Sequence, residues 1–326
     1  MDEVSIIGID LAKRSFQLHG ARADGSVAFR KTLSRGKLLS FLASVPPCVV
    51  AMEACASAHY WGREITKLGH EVRLVPPIYV KPFVKRQKND ASDAEAICEA
   101  ALRPTMRFVA VKGEEQQARG MLFRVRDLLV RQRTQAINAL RGHLAEFGIV
   151  APQGRAHVAR LAAALDEAAS DLPAQVHELG TLLLEKIAGL DAEIAELEKD
   201  ICVHARRDED AARLMTIPGV GPICAMAIQA FAPPMESFRC GRDFSAWLGL
   251  VPRQHSTGGK PRLGRISKMG QRDLRRLLVC GAMAVVRWAI RRGETDDPWL
   301  ARMLACKPPK LVAVALANRM ARIVWR

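Results

Sequence analysis

Two groups of residues in this chain combine side chains and spacings that could do chemistry. The first lies between Ser245 and Arg276, SAWLGLVPRQHSTGGKPRLGRISKMGQRDLRR, where an apolar segment breaks at Pro252 and opens into the loop His255-Ser256-Thr257-Gly258-Gly259-Lys260. From Arg253 to Arg276 the cations are Arg253, Lys260, Arg262, Arg265, Lys268, Arg272, Arg275 and Arg276, against Asp273 alone. Consecutive glycines let backbone N–H groups approach a ligand closely, and flanking cations select an anionic one. A hydroxyl in that setting, Ser256 or Thr257, stands where a phosphate would be held. The loop either binds a phosphodiester backbone or belongs to a site that cuts one.

The second group is acidic. Val4-Ser-Ile-Ile-Gly-Ile-Asp10 and Cys48-Val-Val-Ala-Met-Glu53 read as buried strands that each end on a carboxylate. Asp90 and Asp93 are three residues apart and share one face of a helix's first turn. Four carboxylates converging at one sheet edge would hold one or two Mg²⁺ ions, hard cations that take oxygen ligands. Paired Mg²⁺ ions stabilise the attacking and leaving oxygens of an in-line phosphoryl displacement. Plainer readings stand beside this one. Asp10 alone also suits a turn, and Asp90 with Asp93 also suits a helix cap and its first turn, where the dipole favours negative charge. Glu53, at the end of an apolar strand, is harder to assign to a purely structural role. Glu95 and Glu99 read as solvated helix residues.

The elements that must position these residues follow from periodicity. Ser15–Ala21 and Val27–Lys31 alternate as antiparallel strands do, a short helix is expected at Lys37–Ala43, Ala58–Leu68 is helical, Glu71–Val75 is a strand, and Asp90–Leu102 is a helix. This βββαβαβα order predicts an α/β domain with a mixed sheet over residues 1–111. Residues 112–206 form a helical middle region. Gly113–Gly148 contains no proline and carries the stripe Leu122, Val125, Leu129, Ala136, Leu140, Leu144 and Phe147. Arg119, Arg126 and Arg133 recur every seventh residue beside it, either as a solvated face or as a nucleic-acid contact. Gly154–Pro173 reads as a connector with some helical content. Leu183, Ile187, Leu190, Ile194, Leu197 and Ile201 form a coiled-coil seam on an acidic helix. Such a helix repels nucleic acid and packs on protein, either the Gly113–Gly148 helix or another subunit.

Residues 207–326 read as helical, with helices at Gln271–Arg291 and Lys310–Trp325 and a short helix or strand at Asp243–Leu250. Ile217-Pro-Gly219-Val-Gly221 resembles a helix–hairpin–helix turn, in which Gly219 and Gly221 aim backbone N–H groups at a DNA phosphate. The same motif also serves as a tight turn between helices.

Bulk composition narrows the partner. The chain has 326 residues and a net charge of +15, which predicts a polyanion, with nucleic acid foremost. No apolar run approaches the ~20 residues of a membrane helix and no signal peptide opens the chain, so no membrane role is expected. Aromatic content of 5% argues against recognition through stacked single-stranded bases. The eight cysteines lack any C-x-x-C pair and read as reduced residues of a cytoplasmic protein.

Gly8-Ile-Asp10-Leu-Ala-Lys13, Met52-Glu53-Ala54 and Lys88-Asn-Asp90-Ala-Ser-Asp93-Ala94 resemble the D-E-D-D signature of RNA-guided "bridge" insertion-sequence transposases, relatives of the pilin-gene-inverting recombinase. Gly249-Leu-Val-Pro252, Ser256-Thr-Gly-Gly-Lys260 and Gly264-Arg-Ile-Ser-Lys-Met-Gly270 resemble that family's second domain, so the likeness spans nearly the whole chain. The resemblance implies a fold class of α/β plus all-α: an RNase H-like (RuvC-like) domain, a coiled-coil middle and a helical transposase domain. It implies Mg²⁺ on Asp10, Glu53, Asp90 and Asp93, and a nucleophilic serine at Ser256. Members with glycine directly after the serine align Thr257 instead, but the spacing to Ser267-Lys268 favours Ser256. It further implies DNA contacts by the cations around the loop, a phosphoserine intermediate and a composite site built from two subunits of a dimer or tetramer. A noncoding guide RNA and a bacterial, nucleoid-associated location complete the expectation. Two rivals remain at this level, a metal-only junction-resolving nuclease and a non-catalytic nucleic-acid scaffold.

Overall fold

The computed structural model describes residues 4–85, 90–168 and 171–326, and of Asp90 the backbone alone. The chain divides into two compact units, Met1–Glu115 and Gln116–Arg326.

The first unit is built on a five-stranded mixed sheet of β1 (Ile6–Leu11), β2 (Ser15–Ala21), β3 (Val27–Ser34), β4 (Val49–Glu53) and β5 (Glu71–Val75), in the order β3-β2-β1-β4-β5. β1 pairs antiparallel with β2 and parallel with β4, and β4 runs parallel to β5. Strand periodicity sorts the side chains. Ile7, Ile9, Val50 and Met52 face a core completed by Leu38 and Leu42 of α1 (Leu38–Ala43) and by Trp61 and Ile65 of α2 (Ala58–Lys67). On the opposite face Ile6 and Ala51 meet Ala96, Ile97 and Ala100 of α4 (Asp90–Ala101), which follows the short α3 (Pro77–Val80). Gly8 lies on this second face, and a Cβ there would sit 2.3 Å from the Ala94 carbonyl oxygen and 2.8 Å from the Cys98 Cβ. The missing side chain is what lets α4 lie down on β1.

Among the described residues the second unit is helical apart from one hairpin. It holds the long helices α5 (Glu114–Ala145) and α7 (Ala174–Arg207), with α6 (Val158–Glu167) between them. Then come α8 (Glu209–Met215), α9 (Pro222–Phe231), α10 (Gly241–Trp247), the hairpin β6 (Pro252–Gln254) and β7 (Leu263–Ile266), α11 (Arg272–Arg292), α12 (Pro298–Cys306) and α13 (Pro309–Val324). The acidic helix α7 packs on α5 within the chain. Ile187, Leu190, Ile194 and Ile201 are buried, and Ile187 shares a cluster with Ala136, Ile137, Leu140 and Leu144.

Three expectations are corrected here. Val125 on α5 and Phe147 just past its end are exposed, while Phe123 and Ile137 point inward. The helix changes partner along its length: Phe123 packs on Phe231 of α9 with ring centroids 5.8 Å apart, and the C-terminal half packs on α6 and α7. No single stripe can serve both. Arg119, Arg126 and Arg133, expected as a solvated face or a nucleic-acid contact, are held by groups of the chain itself. Arg126 pairs with Glu198, Arg133 with Asp191 at 2.6 Å, and Arg119 donates to the Gln229 side chain at 3.0 Å. Two of the three arginines match the acidic helix beside them, while Arg119 is held by Gln229 of α9 and by Asp208 ahead of α8. Gly219 is absorbed by packing. Its φ is +89°, and a Cβ on Gly281 of α11 would come 1.9 Å from the Gly219 oxygen, so the two glycines let α11 cross the turn. Gly221 stays exposed ahead of Pro222.

Candidate active-site elements

At the C-terminal ends of β1 and β4 the register places Ile9 beside Met52, so Asp10 and Glu53 follow on neighbouring parallel strands. Alternation turns both toward the face covered by α4. Asp93 sits in the first turn of α4, next to the Ala94 that contacts Gly8. Three of the predicted carboxylates are thus brought to one edge, half-buried. The side chain of the fourth, Asp90, lies outside the described residues, as do Lys88 and Asn89 of the same motif.

The electrostatics show how close these groups are. Burial pushes the Glu53 carboxyl above its ordinary value, and the negative charge of Asp93 pushes it further the same way. The Cys55 thiol is raised by burial, then by Glu53 and Asp10. Among the described residues the Glu53 carboxylate has no hydrogen bond and no ion pair. A half-buried, unneutralised carboxylate facing a second one is the setting a cation relieves, and an all-oxygen donor set fits a hard divalent ion. The described residues alone do not close a metal cage, for no group of three or more His, Cys, Asp or Glu is gathered tightly enough to hold one.

Glu95, expected to be solvated, bridges two cations, Arg30 at 3.1 Å and Lys85 at 2.5 Å. The hydrogen bond from Lys85 holds its carboxyl below the ordinary range. Glu95 thereby ties β3 and the segment ahead of α4 to α4 itself, two residues from Asp93. Nothing in its sequence context distinguishes it from its solvated neighbours.

The basic stretch folds differently from the open loop read in the sequence. Pro252 begins a strand instead of breaking one, and β6 pairs with β7 through Pro252–Ile266 and Gln254–Leu263. At the tip Gly258 and Gly259 have φ of +56° and +74°, with the Lys260 N–H bonded to the Thr257 oxygen at 3.1 Å. Two successive positive φ values are what a tight primed hairpin turn requires, so the glycine pair is there for the turn. Gly-Gly flanked by Gln-His-Ser-Thr and Lys-Pro-Arg-Leu is the signal that could have revealed the hairpin. Ser256 lies on β6's continuation and its Oγ accepts the Arg262 N–H at 3.1 Å. Thr257 is part of the turn itself.

The hairpin stands on a fixed base. A Cβ on Gly249 would come 2.1 Å from the Met269 oxygen, and one on Gly270 would come 1.8 Å from the Trp247 oxygen. Arg275 donates to the carbonyls of Leu248 and Met269 at 2.8 and 2.9 Å. Arg253, expected to contact nucleic acid, is exposed and donates to the Ser267 carbonyl just past β7 at 3.2 and 3.3 Å. Arg276 pairs with Asp127 at 2.6 Å. By contrast Lys260, Arg262, Arg265, Lys268 and Arg272 are exposed, and among the described residues their side chains form no ion pair.

Comparison with known proteins now bears on both elements. Residues 211–297 match a family model described as "Transposase IS116/IS110/IS902 family", and residues 7–149 match a DEDD-type IS110 model described as "Transposase". The chain is 51% identical to a "Probable family 20 transposase" of Pseudomonas aeruginosa, covering 99% of this chain and 96% of that one. It is 46% identical to the "Transposase for insertion sequence element IS1328" of Yersinia enterocolitica, covering 100% and 97%. It is 37% identical to the "Transposase for insertion sequence element IS1111A" of Coxiella burnetii, covering 100% and 90%. No helix of the described residues is long and apolar enough to cross a membrane.

Proposed function

Because this chain belongs to the IS116/IS110/IS902 family of transposases, we propose that it cuts and rejoins DNA with Ser256 as the nucleophile and the carboxylates of the first unit as its partner site. The observation that carries this reading is the hairpin. It presents one serine on a ribbon with a fixed base, among five cations that no carboxylate of the described residues neutralises.

The Ser256 Oγ forms a bond to phosphorus while the bond from phosphorus to the 3′-oxygen breaks. The serine proton ends on that 3′-oxygen, leaving a phosphoserine on the 5′ side and a free 3′-hydroxyl. Attack by the 3′-hydroxyl of a second DNA reverses these changes and returns the proton to Ser256. Lys260, Arg262 and Arg265 hold the phosphate oxygens, and Arg272 and Lys268 hold the flanking backbone. Asp10, Glu53 and Asp93, with Asp90, would hold Mg²⁺, which supplies positive charge against developing oxyanions. Thr257 ranks second as nucleophile because it is part of the turn.

Two finer features extend the proposal. A noncoding guide RNA selects both DNAs, supported by a surface rich in phosphate-binding cations and, at 5% aromatic content, poor in stacking side chains. The chain works as a dimer or tetramer, supported by the exposed apolar row Met121, Val125 and Leu128 on α5 and by Leu179 and Leu182 on α7. Cleavage of element-end DNA by single variants tests the core of the reading. Ser256→Ala and Asp10→Asn should each abolish strand cutting. Cutting by Ser256→Ala with none by Asp10→Asn would instead assign a metal-only nuclease.

A further inference from the structure

We propose that Leu263 is a wedge that enters the base stack of duplex DNA beside the phosphate presented to Ser256, a role that rests on the DNA-cutting reading above. Leu263 is 65% exposed on a two-stranded ribbon whose other solvent-facing side chains, the prolines Pro252 and Pro261 apart, are polar or cationic. Its place on the ribbon is defined. Gln254 is directly opposite Leu263, and alternation toward the tip, away from the register shift between Pro252 and Gln254, puts Gln254, Ser256 and Leu263 on one face. His255 belongs to the other face, where a Cβ on Gly264 would come 3.4 Å from its ring.

Ser256 and Leu263 are therefore diagonal neighbours across the pair, about 7–8 Å apart. That span is roughly two base steps of 3.4 Å. A DNA strand whose phosphate meets Ser256 brings its bases to Leu263. The occupant is set by charge, since the exposed cations Lys260, Arg262 and Arg265 flank this face from the rest of the narrow ribbon and no carboxylate of the described residues neutralises them, whereas a duplex whose groove takes the whole ribbon does so. A two-stranded ribbon is narrow enough for a DNA groove. An apolar side chain at its centre is what groove-binding proteins use to part a base step and kink the duplex. Parting a step about two base steps from the attacked phosphate kinks the backbone between them and turns that phosphate out toward the serine.

The test uses the full chain with its co-purifying RNA and a duplex spanning the element's end, with 2-aminopurine placed in turn at each base step near the cut. In a Ser256→Ala background, where binding is read without chemistry, fluorescence should rise at one step. Leu263→Ala in the same background should abolish that rise while anisotropy shows binding retained. With Ser256 restored, Leu263→Ala should cut paired DNA about tenfold more slowly or worse, and Leu263→Met should recover the rate. A mismatch at that step should let Leu263→Ala cut at the wild-type rate. An unchanged fluorescence rise with Leu263→Ala, or a cutting defect that the mismatch does not relieve, would overturn the wedge. The fluorescence arm is independent of the nucleophile, so failure of the serine assignment and failure of the wedge give different results.

Discussion

Gly8 of β1 and Ala94 of α4 approach so closely that a methyl group on Gly8 would lie 2.3 Å from the Ala94 carbonyl oxygen. This contact sets the distance between helix and sheet, and through it the distance from Asp93 to Asp10 and Glu53. The obstructing atom is backbone, so no rotamer change can relieve it. Gly8→Ala should destabilise the chain by about 1–3 kcal/mol or more. Denaturant unfolding of the variant measures the loss, and any Mg²⁺-dependent activity should fall with it.

The raised carboxyl of Glu53 makes a pH-dependent prediction. Its folded form holds a proton more tightly than the unfolded chain does. Stability contributed by the protonated group is therefore present below the ordinary value of 4.5 and is lost as pH rises through the higher folded value. Without metal, Glu53→Gln should be more thermally stable than wild type above that window, and the difference should vanish as pH falls. Added Mg²⁺ should raise the melting temperature of wild type near neutral pH and have less effect on Glu53→Gln.

The two kinds of arginine should separate in salt titrations of DNA binding. Arg262→Ala and Arg265→Ala should each reduce the slope of log K against log salt by about 0.9. Arg126→Ala and Arg133→Ala should leave that slope unchanged, because those side chains are held by Glu198 and Asp191. They should instead lower stability by up to about 1 kcal/mol, reduced further by solvent screening.

The hairpin turn predicts a contrast between glycine variants. Gly258→Asn should be tolerated, since asparagine accepts a positive φ and Asn-Gly suits this turn. Gly259→Val should disrupt the tip and abolish cutting while the melting temperature stays close to wild type, because the tip is exposed. Parallel cleavage and thermal-unfolding measurements decide it.

The parts of this molecule that are legible in the sequence are those where a local pattern has one physical meaning. The strands ending on Asp10 and Glu53 are visible because a short apolar run that stops at a carboxylate leaves little else for that carboxylate to do. Their meeting with Asp93 is legible only as motif order, because the close approach at Gly8 depends on a helix more than 80 residues further along the chain. The arginine repeat misleads because a seven-residue period is equally suited to phosphates and to a neighbouring acidic helix. Only tertiary pairing with Glu198 and Asp191 separates the two. The hairpin is hidden by Pro252, which suits a break in the chain, although proline is also tolerated at the first residue of an edge strand. Glu95 and Leu263 are invisible, since an exposed glutamate and an exposed leucine acquire a role only from what stands opposite them.

The proposed covalent bond between Ser256 and DNA can be read directly. The most direct measurement is to mix the full chain, its co-purifying RNA, Mg²⁺ and element-end DNA labelled on the strand that would stay attached, denature, and follow the label on a gel. The expected result is a labelled protein band that resists denaturant, whose peptide map places the phosphate on Ser256, and which is absent with Ser256→Ala. Cut DNA with no protein-linked label, or an adduct that persists in Ser256→Ala, would contradict it.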